Sequence, residues 1–185
     1  DFNTWGFVGL LLGFWIILAS IIAIFSSYKI KISIKFFQII NPHIAHIGVG
    51  IAIIGITCSS VFQNELDFNL NEGEEFIING KTVLFEEIET TNQINFQALR
   101  GKFLFDIEND QSKKIEAGKN YYPVSKMITS EAGILHQWNK DIYFILGDQK
   151  NNEWFVKVLI NPFVSFIWLG VIIMMYSGLI AVSRR

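Results

Sequence analysis

Cysteine is almost missing from this chain: Cys58 stands alone in 185 residues. One thiol excludes a disulfide framework, a CxxC redox pair and a CxxCH haem-attachment motif. Proline is scarce, at three residues, and histidine is limited to His43, His46 and His136. No basic patch is present and the formal net charge is −2, which argues against a nucleic-acid partner. No paired carboxylates, nucleophile–base arrangement or glycine-rich phosphate loop marks a hydrolase or a phosphotransferase. The most informative absence is charge. Residues 5–25, 42–62 and 163–182 contain no Lys, Arg, Asp or Glu.

Each of these stretches is about 20 residues long, the length a helix needs to cross a bilayer core. In the first, Gly6, Gly9 and Gly13 smooth one helix face for close packing, and Trp5 sits where an interfacial residue belongs. Between the first two, Lys29, Lys31 and Lys35 form a short basic segment without an acid. Arg184 and Arg185 close the chain. Short basic loops stay in the cytoplasm. The segment 63–161 then lies outside, with sixteen acidic residues against ten Lys and Arg. Pro42 suits the first turn of the second helix, where a missing N–H costs nothing. The apolar run at the start has neither a basic leader nor a small-residue cleavage site, so no cleavable leader is expected.

The outer segment reads as β structure. Asn79-Gly80 between two apolar runs predicts a two-residue type I′ hairpin. Residues 93–99 and 102–107 flank Gly101 as a further strand pair. Residues 124–128, 141–146 and 153–159 are rich in Val, Ile, Tyr and Phe, the last two separated by a polar loop over 147–152. The expected fold is an integral membrane protein with three transmembrane α-helices. A small extracytoplasmic all-β domain, barrel- or sandwich-like, is inserted between helices 2 and 3. The expected divisions are 1–62, with a basic cytoplasmic loop at about 27–41, then 63–161 and 162–185.

A histidine inside a membrane span needs a reason, because ionisable groups there are expensive. His43 and His46 are three apart and share a helix face. Three readings fit. They form a metal pair, although zinc would want a further strong ligand. One is an axial haem ligand with its partner on another helix. Or they are polar residues at a helix entrance, hydrogen-bonded to a carbonyl or to headgroups. Gly48, Gly50 and Gly55 allow a macrocycle or a neighbouring helix to lie close. Cys58 reads as a small buried residue, and His136 as a surface loop residue. The residues alone do not reach a reaction.

Several stretches, in order, resemble the C-terminal part of the CcmF family, the haem lyase subunit of the bacterial-type cytochrome c maturation system. Ile44-Ala45-His46-Ile47-Gly48 is similar to the family's Leu-Ala-His-Leu-Gly at the start of a transmembrane helix. Gly55 to Phe62 matches a run of small residues ending in a Ser-Ser-Ala-Phe type sequence. Asn71-Glu72-Gly73-Glu74 resembles a Pro-Gly-Glu turn. Tyr122-Pro123, Thr129 to Ile134, Asp141 to Asp148, Trp154, Asn161-Pro162 and Ile167 to Gly170 continue the pattern. Ser130, Gly133 and Lys157 depart from it, and His43 and His136 match no family histidine.

The resemblance implies that His46 is one of two transmembrane histidines that axially ligate the iron of a haem b. The second axial histidine, the tryptophan-rich haem-handling motif and the extracytoplasmic histidines lie N-terminal to the part present here. The chain is thus expected to be a piece of a longer protein or the product of a split gene, without its own catalytic centre. The implied partners are a haem chaperone, apocytochrome c-presenting subunits and apocytochrome c with its CxxCH motif, along with transient substrate haem. The implied location is the bacterial inner membrane with the β domain on the periplasmic side. The contrasting reading is a non-catalytic membrane-anchored adaptor that binds a partner through its β domain and holds no haem.

Overall fold

A computed structural model describes residues 4–27, 34–107 and 112–182. Lys29, Lys31, Arg184 and Arg185, on which the expected orientation rests, lie outside the described residues. The element order is α1 (Thr4–Ser26), α2 (Ile34–Val61), β1 (Asn64–Leu70), β2 (Glu75–Ile78), β3 (Lys81–Asn92), β4 (Gln97–Phe105) and β5 (Lys113–Tyr122). Then come β6 (Met127–Glu131), β7 (Gly133–His136), β8 (Lys140–Lys150), β9 (Glu153–Pro162) and α3 (Val164–Val182). The chain divides into a helical unit and a strand unit.

In the helical unit, Thr4–Ser26, Ile40–Val61 and Val164–Val182 are long and apolar enough to cross a membrane. Their outward surfaces carry large apolar side chains such as Trp15, Phe25, Trp168 and Leu179, as lipid-facing helices do. α1 packs on α2 through its small-residue face: Gly6 meets Val61, Gly9 meets Thr57 and Gly13 meets Ile54. α2 packs on α3 through a clasp of buried polar groups. Asn41 Nδ2 donates to the Ser177 carbonyl at 2.8 Å. Ser177 Oγ donates back to the Asn41 carbonyl at 2.8 Å, with Asn41 Oδ1 at 3.1 Å. In an apolar medium each of these groups would be costly without the other.

α2 starts at Ile34, so Pro42 lies inside the helix and not in its first turn. Residues 34–41 are therefore helical, where a loop was expected. A proline in this position removes one helical hydrogen bond, and the Asn41–Ser177 clasp ties α2 to α3 beside it.

The strand unit is a sandwich of two sheets, with orders β1-β9-β8-β7 and β2-β3-β4-β5-β6. The hairpin at Asn79-Gly80 forms as expected: both residues have positive φ, at 50° and 74°, and Ile78 pairs with Lys81. A second hairpin was hidden in the polar run after Gly147. Asn151 and Asn152 take φ of 52° and 70°, and β8 and β9 extend to either side of them. Gly101 does not separate two strands. It lies within β4, paired with Ile88 and Ala117, where the rings of Phe85 and Phe103 cover it. Residues 123–126 form a turn, and the strand expected from 124 begins at Met127. The core is aromatic. Phe103 is fully buried, stacks on Phe85 at 5.0 Å and meets Phe144 of the other sheet at 5.2 Å between ring centroids.

Three exposed carboxylates are held below the usual range. Glu74 accepts from the Asn71 backbone N–H at 2.9 Å and from its side-chain amide at 3.0 Å. Glu87 and Asp148 are lowered by hydrogen bonds and charge from Lys102 and Lys119. A carboxylate whose folded pKa is depressed stabilises the fold fully above its unfolded value, 4.5 for Glu and 3.8 for Asp. That contribution is lost as pH falls through the lowered folded value. The melting temperature is therefore expected to decline on acidification below about pH 5. Glu74→Gln should reduce the slope in a pH series of thermal melts; an unchanged slope would remove Glu74 from the account.

Candidate functional site: a histidine groove between α1 and α2

α2 brings His43 and His46 to the side that faces α1. The contacts of Gly13 with Ile54 and of Gly50 with Ile17 set an antiparallel register between the helices. Continuing it places Ser20 level with His46. Trp15 stands about one turn further toward the C-terminal end of α2, and His43 about one turn the other way, roughly 4.5 Å along the axis. Trp15, Ile16, Ala19, Ser20, His43 and His46 together line one groove of about 280 Å³. Its floor is small, at Ala19 and Ser20, and its walls are apolar. Ser20 is buried, and its Oγ–H donates to the Ile16 carbonyl at 2.8 Å.

His46 is exposed and oriented. Its Nδ1 lies 2.6 Å from the Pro42 carbonyl oxygen. A carbonyl only accepts, so the Nδ1–H of His46 is the donor and the ring is held by that bond. Histidine metal ligands are commonly oriented in this way, by a hydrogen bond from the second ring nitrogen. His43 is half-buried in the same groove. No group of three or more His, Cys, Asp or Glu side chains surrounds the pair among the described residues. The donor set is one oriented imidazole in an apolar groove. It suits one axial position of a porphyrin iron and lacks the further ligands of a zinc site.

The other candidates sit elsewhere. His136 ends β7, so it is a strand residue and not a loop one, and it belongs to the strand unit. Cys58 is buried within α2. Sequence reasoning did not connect Trp15, Ala19 and Ser20 to the histidines. Their pairing with His46 depends on the register between two helices, which periodicity in one helix does not carry.

Fold and groove define the class first: a membrane protein whose three apolar helices carry a β-sandwich between the second and third. Residues 61–162 match the family described as the CcmF C-terminal beta-sandwich, and the chain belongs to the CcmF family. It is 29% identical over 191 aligned residues to a cytochrome c-type biogenesis protein CcmF from Pseudomonas fluorescens, covering all of this chain and 29% of that protein. With CcmF from Haemophilus influenzae it shares 31% identity over 145 residues, covering 77% of this chain and 22% of the relative. The chain thus spans less than a third of the length of these relatives. It also superimposes on a solved structure named Cytochrome c Heme Lyase CcmF. The TM-score is 0.77 over 97% of this chain and 30% of that one, at 12% identity, a likeness of fold.

Proposed function

We propose that this chain is the C-terminal part of a membrane component of cytochrome c biogenesis, and that it supplies one axial ligand, His46, to a haem b. The observation that carries this reading is the His46 ring, tied through Nδ1 to the Pro42 carbonyl and lining an apolar groove. The second axial histidine comes from the portion of the longer family proteins that this chain does not span. When bound, haem supplies one-electron redox chemistry. This chain's residues orient the ligand, exclude water and fix the helix that carries it. The lysines before α2 and the arginines after α3 favour a cytoplasmic position for those ends, with the sandwich on the periplasmic side of the inner membrane. There the sandwich would meet a haem chaperone and apocytochrome c-presenting subunits. Attachment of transient substrate haem to the CxxCH motif would belong to the whole assembly.

The test is a reduced-minus-oxidised spectrum of the full-length membrane protein beside His46→Ala. The expected result is a sharp reduced α band in the wild type and a loss of about tenfold or more of bound haem in the variant. Haem retained unchanged in His46→Ala would remove His46 as a ligand. A full-length protein without haem would favour a partner-binding adaptor.

A further inference from the structure

We infer that His43 is a positioning residue for the haem held by His46, donating a hydrogen bond to its propionate edge, while Trp15 covers an apolar edge. The inference rests on the reading of His46 as an axial ligand. Two imidazoles three apart on one helix lie on the same side of anything bound in the groove. They cannot take the two opposite axial positions of one iron, so His43 needs another role. A macrocycle held at His46 would meet His43 toward one end of the groove and Trp15 toward the other, since both line it.

A haem carries two carboxylates on one edge and apolar groups on the rest. A carboxylate leaving water is costly unless a donor meets it. Ser20 cannot serve, because its one proton is already given to the Ile16 carbonyl, and a carboxylate only accepts. His43 can, because a neutral imidazole always carries one N–H. Trp15 also has an N–H, but depth separates the two. The apolar span of α2 begins at Ile40, so His43 lies within one turn of its end. Trp15 lies near the middle of Thr4–Ser26, where a carboxylate would be most expensive.

The experiment uses the full-length membrane protein with His43→Leu, His43→Gln and Trp15→Phe. It reads haem per protein, the propionate bending band in resonance Raman spectra, and the midpoint potential. His43→Leu should keep at least half of the haem, shift the propionate band and lower the potential, because a less stabilised carboxylate favours ferric iron. His43→Gln restores an N–H donor and should return both readouts toward wild type, which a merely structural role would not do. Trp15→Phe should leave the propionate band in place. A His43→Leu protein with wild-type band and potential would overturn the inference. So would a band shift confined to Trp15→Phe, or haem loss in His43→Leu as complete as in His46→Ala. Wild-type protein without haem would instead sink the His46 reading beneath it.

Discussion

Replacing Gly118 by alanine is expected to cost about 3–5 kcal/mol of stability, combining overpacking with a broken buried network. A Cβ at Gly118 would run into the Leu99 carbonyl oxygen, with Arg100 Nη1 at 2.8 Å and its Cδ at 2.9 Å. That arginine lies across β5 because position 118 has no side chain. From there Arg100 Nη1 donates to the Lys119 carbonyl at 3.3 Å, and Nη2 donates to Asn120 Oδ1 and Glu131 Oε2, both at 2.7 Å. Asn120 is 2% exposed and donates to Glu131 Oε1 at 2.5 Å, so the network ties β4, β5 and β6 together. Moving Arg100 leaves Asn120 buried with an unmet acceptor, and against a typical total of about 5–15 kcal/mol that is a large loss. Gly101→Ala is the control: its Cβ would meet only side-chain carbons at 3.3–3.4 Å, and a cost of about 1 kcal/mol or less is expected. Urea unfolding of the chain in detergent compares the two. Equal midpoints would show that the Arg100 network is not what Gly118 protects.

Both the hairpin at Asn79-Gly80 and the three helices were legible because each rests on local chemistry: two residues that accept positive φ, and runs long enough to span a bilayer without charge. The polar strands were not. β1 (Asn64–Leu70) and β5 (Lys113–Tyr122) contain few apolar residues, and their charges are accommodated only by neighbours. Lys157 on β9 reaches Glu65 at 3.0 Å and Asp67 at 3.8 Å across the β1–β9 pair, and Lys102 on β4 bridges Glu87 and Glu89 on β3. A strand stabilised by cross-strand pairs carries half of its signal in another part of the sequence. Gly101 misled for the related reason that a glycine under two aromatic rings looks, in one dimension, like a turn. At the groove, His46 was visible as an unusual residue in a span. Its orientation, set by the bond from Nδ1 to the Pro42 carbonyl, required knowing that the helix continues through Pro42.

Gly48→Leu should disable the groove without touching it. Gly48 is two residues beyond His46, roughly 200° around the helix, so it faces α3 while His46 faces α1. An ideal Cβ at Gly48 would stand 2.7 Å from the Gly170 carbonyl oxygen, 2.9 Å from Met174 Cγ and 3.1 Å from Met174 N. Two of these three are backbone atoms, which cannot swing aside. The helices must separate or rotate, and either movement pulls on the buried Asn41–Ser177 clasp one turn before His46. A rotation of α2 turns the His46 ring away from α1. With His46 as the proposed axial ligand, bound haem should then fall about tenfold or more, by the same logic through which a misplaced supporting residue weakens a metal site. The aggregation temperature in detergent should fall with it. Gly178→Leu separates packing from bulk, since nothing lies within 4 Å of a Cβ there, and it should leave both readouts at wild type. If Gly48→Leu lowered the aggregation temperature and kept full haem, the α2–α3 contact would stabilise the bundle without aiming the ligand, and the orientation of His46 would rest on Pro42 and α1 alone.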